Sequence, residues 1–245
     1  VTTAACPLVF SADAHVYRLN NIVVPSVTQV LRATRYIRLV EDIAEKAEQK
    51  AITWVEALVL MEKRLRVLEV ARKRGSDIHA LLQYLVEDDL DESSIDPAYA
   101  GYIESGRLYV QQHVKQPYRA EFRVWSRHGY AGTLDLFALH HDGFLSIDDF
   151  KSGDVEMVAS NLQLAAYLGA VLEMRATDPE LDAIIRSVKA PVIRRRAIRL
   201  RKDGRIAQET MYSDPRDYSM FLNALSVVND QARQPAQPIA WGDER

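Results

Sequence analysis

Cysteine is almost absent from this chain of 245 residues: Cys6 stands alone. A single thiol excludes an internal disulfide, a zinc site built from several cysteines and a four-cysteine iron–sulfur cluster. Glycine and proline are also sparse, at 10 and 9 residues, which excludes collagen-like and low-complexity character. No apolar run approaches the roughly 18 residues of a membrane span, and no basic-then-apolar leader is evident, so no membrane partner is expected and the expected setting is cytoplasmic. Neither sign of charge dominates. A net charge of −3 excludes a generally basic chain but leaves room for a local basic surface. A glycine-rich phosphate loop is missing too, so the chain has no nucleotide-driven motor of its own.

What is present is the composition of a globular protein, 48% hydrophobic and 27% charged. The expected organisation is a single α/β domain over 1–245. Residues 1–117 form an N-terminal hairpin and helical part, 118–232 a sheet core with a closing helix, and 233–245 a loosely ordered tail. Leu8–Phe10, His15–Leu19 and Ile22–Val24 read as hairpin strands, with Asn20-Asn21 at a tight turn. Pro25-Ser26 opens a short helix carrying Val27, Val30 and Leu31. Apolar steps of three or four from Glu41 to Arg72 predict one amphipathic helix or two abutting ones, and Arg74–Leu85 predicts a further helix. The acidic run from Glu87 to Asp96 reads as a solvated loop. After a helix near Ala98–His113, period-two patterning predicts strands at Glu121–Ser126, Gly132–Leu139 and Phe144–Lys151. A helix follows over Met157–Met174, then a hairpin around Lys202-Asp203-Gly204, then a closing helix over Tyr218–Gln231.

Chemistry concentrates on the second and third strands of that meander. Asp135 and Asp149 lie on neighbouring antiparallel strands, where pairing can bring their carboxylates together. Two such charges about 4 Å apart repel by roughly 4 kcal/mol at an effective dielectric near 20. A hard divalent cation, Mg²⁺ or Mn²⁺, would answer that repulsion with oxygen ligands. Asp149 and Lys151 are two apart and share a strand face, so the ammonium sits beside the carboxylate, where it can orient a water or stabilise charge on a phosphate. Asp148 points the other way, as a capping or hydrogen-bonding residue. Gln163 and Tyr167, at i and i+4 on the next helix, share one face and can bond phosphate oxygens or Lys151.

The blocks Gly132-x-x-Asp135, Asp149-x-Lys151-Ser152-Gly153 and Gln163-x-x-x-Tyr167 resemble the PD-(D/E)xK nuclease superfamily in its RecB-like exonuclease branch. Arg74-Gly75-Ser76-Asp77-Ile78-His79 is similar to that branch's helix motif, and Pro25–Leu31 is similar to a segment of the mitochondrial genome maintenance exonuclease and of phage and prophage nucleases. The resemblance implies a restriction-endonuclease-like core with a mixed central sheet flanked by helices. It implies that His79, Asp135, Asp149 and the Phe150 carbonyl hold the metal, and that Lys151 is catalytic with Gln163 and Tyr167 in support. Glu121 falls where many members carry an acid. The implied activity is metal-dependent DNA exonuclease chemistry in phage recombination or repair, in a bacterial or phage-infected cell, on DNA with a free end, beside a single-strand annealing protein. Leu134 stands where the family's proline is usual, and the cluster-binding cysteines of some members are missing, so no iron–sulfur cluster is expected.

Two basic groups complete the reading. Arg194 and Arg196, in a block running to Arg205, either protect an edge strand or contact DNA phosphates. Arg72 and Arg74, with Gly75 beside them and Ser152 after the catalytic strand, are further candidate DNA contacts. His140 and His141 flank a turn and are expected to be exposed, without a metal role. Cys6 is expected to be an inert, at least partly buried thiol. A catalytically silent DNA-binding member of the fold, a structure-specific endonuclease and a defence nuclease are the alternatives.

Overall fold

The computed structural model describes residues 7–12, 14–33, 54–153, 157–188 and 192–233. Cys6, the Glu41–Thr53 part of the expected long helix and the tail from 234 lie outside them. Strands β1 (Leu8–Ser11), β2 (Val16–Leu19) and β3 (Ile22–Val24) form a small antiparallel meander. Asn20 and Asn21 turn β2 into β3 with φ of 50° and 66°, the doubly left-handed turn that matches strand twist. Helix α1 (Val27–Ala33) follows at once. Seven residues are too few for an isolated helix to persist. Ser26 and Gln29 therefore matter: the Gln29 N–H donates to Ser26 Oγ (3.1 Å) and the Ser26 N–H donates to Gln29 Oε1 (2.8 Å), a reciprocal cap. Val27, Val30 and Leu31 are fully buried, each contributing about 1.5–3 kcal/mol.

Helix α2 (Trp54–Val86) runs unbroken through Gly75. The apolar spacing carries across Arg72–Gly75 without a proline, so the two expected helices are one from Trp54 onward, at the cost of about 1 kcal/mol for an interior glycine. A polar loop with one 3₁₀ turn (Glu92–Ser94) leads to α3 (Ala100–His113). The main sheet then follows in chain order as β4 (Val114–Ser126), β5 (Tyr130–His140) and β6 (Leu145–Lys151), with Gly129 and Gly143 at positive φ in the turns. β4 is longer than the patterning predicts. It is an edge strand and so tolerates Pro117, which a central strand would not.

From β6 the chain crosses through α4 (Met157–Met174) and α5 (Pro179–Ser187) to β7 (Ile193–Arg199), parallel to β6; β8 (Gln208–Tyr212) and α6 (Arg216–Arg233) complete the fold. Helix α5 had no counterpart in the sequence reading, although Asp178 caps it by accepting from the Leu181 N–H at 2.9 Å, with Pro179 in the first turn. The result is a five-stranded mixed sheet, β4-β5-β6-β7-β8, flanked by helices. β5 and β6 are buried almost throughout because both faces are covered. On one face α1, α4 and α6 pack over Phe137 and Ile147; on the other, α2 and α3 pack Ile78, Leu82, Tyr102 and Ile103 over Leu136, Phe150 and Ile198. Among the described residues no helix is long and apolar enough to cross a membrane.

Candidate metal centre and active site

Strand alternation decides the site. Asp149 and Lys151 on β6 face Gln163 of α4, Asp148 and Phe150 face α3, and Asp135 on β5 meets His79 of α2. The paired register of β5 and β6 ends at Leu136 and Asp148, so Asp135 sits at the point where the ladder stops. Its carboxylate takes over one missing ladder bond, accepting from the Phe150 N–H at 2.5 Å. Because a strand residue directs its N–H and C=O to the same neighbour, the Phe150 carbonyl lies on that edge as well.

Two donors gather over Asp135. Nδ1 of His79, from α2, lies 3.1 Å from Asp135 Oδ1 and 3.8 Å from Glu121 Oε1. Ligand atoms of His79, Glu121 and Asp135 all fall within 4.8 Å of one another, so this group could hold a metal ion. Glu121 reaches it from β4 with a φ of 43°, a left-handed conformation costing about 1–3 kcal/mol in a non-glycine residue, inside a strand whose register shifts twice. Burial disfavours a charged imidazole, yet the Asp135 and Glu121 carboxylates outweigh it and push His79 up to about 10. In the metal-free protein an imidazolium thus offsets the clustered negative charge.

Asp149 is 2% exposed and engaged differently. Its Oδ2 lies 2.6 Å from Lys151 Nζ as an ion pair but accepts no well-aligned hydrogen bond, and its Oδ1 accepts from Gln163 Nε2 at 3.2 Å. Gln163 also accepts from Lys151 Nζ at 3.3 Å and donates to the Tyr167 hydroxyl at 3.1 Å. One amide therefore fixes the acid, the amine and the phenol. Burial raises the Asp149 carboxyl despite Lys151. Burial pulls the Lys151 ammonium down, but Asp149 and Asp135 more than offset this and hold it above its ordinary value. Gly132 makes room for Tyr167: a Cβ there would lie 2.6 Å from the ring.

All of these side chains open onto one cleft of about 600 Å³. Its outer wall includes Phe10, His15 and Tyr17 from the small meander, and the Tyr17 hydroxyl is 2.9 Å from Thr133 Oγ1. These wall residues belong to no motif in the sequence; inward alternation at Tyr17 is the only signal for them. Gly75 lines the cleft, Ser152 Oγ is 4.0 Å from where a Gly75 Cβ would be, and Arg72 is exposed further along α2. Arg74 is half-buried, its guanidinium over the Tyr102 ring at 5.8 Å.

No family model matches the chain, and no curated protein matches it in sequence.

The donor set itself tests the fit to a metal. Among the described residues, the two carboxylates of Asp135 and Glu121 and the His79 imidazole form a group that could hold a metal ion, whereas the Asp149 Oδ2 lies against Lys151 Nζ and stands outside that group.

Two expectations are corrected. Arg196 is 2% exposed, donating to Glu209 (2.8 Å), Asp142 (2.6 Å) and His140 Nδ1 (3.1 Å), so it has no free face for a phosphate. It lies on β7 between paired strands rather than at an edge, and burial there demands partners for the charge. His140 is likewise buried, not exposed: its Nδ1 accepts from Arg196 and its Nε2 therefore donates to Asp148 at 2.9 Å. Asp148 also accepts from Ser146 (2.5 Å) and Tyr109 (3.2 Å), on the face opposite Asp149. Arg194 is partly exposed but pairs with Asp142 at 2.6 Å, level with Ser146 and thus at the far end of β6 from Lys151.

Proposed function

We propose that this chain is a metal-dependent deoxyribonuclease of the PD-(D/E)xK type, acting on DNA ends. The observation that carries the reading is the convergence, in one cleft, of Asp135, Asp149 and Lys151 from adjacent strands with His79 and Glu121 against Asp135. His79, Glu121, Asp135 and Asp149, with the Phe150 carbonyl, would hold Mg²⁺ or Mn²⁺. A bound ion would polarise the scissile phosphate and lower the pKa of an attacking water. Lys151, held charged by its carboxylate neighbours, acts as a cation toward the phosphate rather than as a base, stabilising charge as it builds in the transition state. Gln163 keeps the Lys151 ammonium and the Asp149 carboxylate in register, and the Phe150 N–H keeps Asp135 turned to the cleft. The cleft is lined by residues of the small meander and of α2 as well as by the sheet, and the preference for a strand end rests on the resemblance to exonucleases.

The test is incubation of the purified chain with end-labelled linear and closed circular DNA, each with Mg²⁺, Mn²⁺ or EDTA. Metal-dependent loss of linear DNA alone is the expected result. Nicking of circles would replace the exonuclease reading with an endonuclease one, and binding without hydrolysis in any metal would make the chain a silent member.

A further inference from the structure

Beyond Lys151 the surface opens into a separate recess of about 390 Å³, bounded by Ser152 and Gly153 on one side and by Arg199, Arg201 and Lys202 on the other. Asp203 is the single acid among its lining residues, so the recess is net cationic. Arg201 pairs with Asp203 at 3.1 Å, while Lys202 is exposed. The turn that carries these cations is clamped from below. A Cβ on Gly101 of α3 would fall 1.9 Å from the Lys202 carbonyl oxygen, so only glycine admits this approach. Ser105 Oγ accepts from the Arg201 N–H at 2.9 Å, and Gly204, at a φ of 74°, closes the turn by donating to the Arg201 carbonyl at 3.1 Å. A solubilising surface loop has no need of such fixation; a binding loop does. Arg199 is level with Lys151 on the neighbouring strand, about 4.8 Å away in an ordinary sheet. Under the nuclease reading this puts a cationic recess next to the strand end that carries Lys151, where a further phosphate of a bound strand could be received.

We propose that the recess is a phosphate-binding subsite, separate from the metal centre, in which the Arg201–Gly204 turn and Ser152 receive a phosphate of the bound strand. It rests on the nuclease reading for its substrate. The shared chemistry is a tetrahedral phosphate, either an internal diester or a terminal monoester.

The experiment uses the full chain in EDTA, so that binding is read without hydrolysis. Fluorescence anisotropy compares single-stranded oligonucleotides ending in 5′-phosphate, 3′-phosphate or hydroxyls, for wild type, Lys202→Ala and Arg201→Gln, with circular dichroism confirming that each variant folds. Both variants are expected to bind about threefold or more weakly and to show a salt slope shallower by about 0.7 for each phosphate that is no longer neutralised. Preference for one phosphorylated end identifies the terminal monoester; equal binding of all three identifies the diester. Wild-type affinity and slope in both variants would overturn the subsite and leave the nuclease reading standing. Inorganic phosphate, titrated against thermal unfolding, separates the two ideas in the other direction. Stabilisation of wild type but not of the variants, with no DNA binding, would keep the subsite and overturn the nuclease reading; neither phosphate stabilisation nor DNA binding would overturn both.

Discussion

Lys151 illustrates how neighbours assign a role to a side chain. With Asp149 at 2.6 Å it stays charged at neutral and mildly alkaline pH, so under the proposed nuclease function its replacement would remove a charge from the transition state rather than a proton acceptor. Lys151→Ala is expected to lower hydrolysis by about 10²–10³, with Mn²⁺ binding by calorimetry retained, whereas Asp135→Asn should weaken both; wild-type turnover by Lys151→Ala would refute the assignment. His79 gives the pH dependence. Its folded value near 10 exceeds the ordinary 6.5, so the stability it lends the metal-free protein is complete below pH 6.5 and disappears as pH rises through about 10. A metal ligand must be deprotonated, so an ion binding there displaces that proton. Calorimetry at pH 8 in buffers of different ionisation enthalpy is expected to show close to one proton released per ion in wild type and a smaller release in His79→Gln. Equal release in both would remove His79 from the ligand set.

At the scale of elements, α4 joins the site to the core. Its buried side packs on the sheet while Gln163 and Tyr167 face Asp149 and Lys151, and Gly132 on β5 leaves the space that Tyr167 fills. Gly132→Ala pushes a methyl into that ring. The expected cost is about 1–3 kcal/mol of overpacking, seen in denaturant unfolding, together with a fall in hydrolysis as Gln163 loses its register. A stable, fully active Gly132→Ala would show that Tyr167 does not position the site. Much of this site is legible in the sequence: Gly132, Asp135, Asp149, Lys151, Gln163 and Tyr167 all stand on elements whose period reveals their facing. Glu121 is legible only through the family resemblance, because its left-handed backbone breaks the alternation that would reveal its facing.

Across the whole molecule the sheet separates two polar systems. One face holds the cleft; the other holds the buried Asp148, His140, Arg196 and Tyr109, with the exposed Glu209 pairing with the Arg196 guanidinium from β8. Removing Arg196 leaves the buried His140 Nδ1 without its donor, while its other partners, Glu209 and Asp142, can turn to water, so Arg196→Ala is expected to cost about 1–3 kcal/mol in chemical denaturation. At temperatures where it remains folded, its DNA affinity and salt slope should match wild type. A variant of wild-type stability with weakened DNA binding would return Arg196 to the surface role that the sequence suggested.

Local order was enough for the meander turn at Asn20-Asn21, the cap at Ser26, the extent of Met157–Met174 and the shared facing of Asp149 and Lys151, because each depends on residues within a few positions of one another. Tertiary structure alone decided which charges are buried. Arg194 and Arg196 look alike in sequence, yet Arg196 is sealed between α3 and β8 while Arg194 reaches solvent, since exposure depends on what packs above a strand. Three-dimensional packing likewise brought His79, 56 residues before Asp135, within hydrogen-bonding distance of it, a proximity that no spacing along the chain encodes.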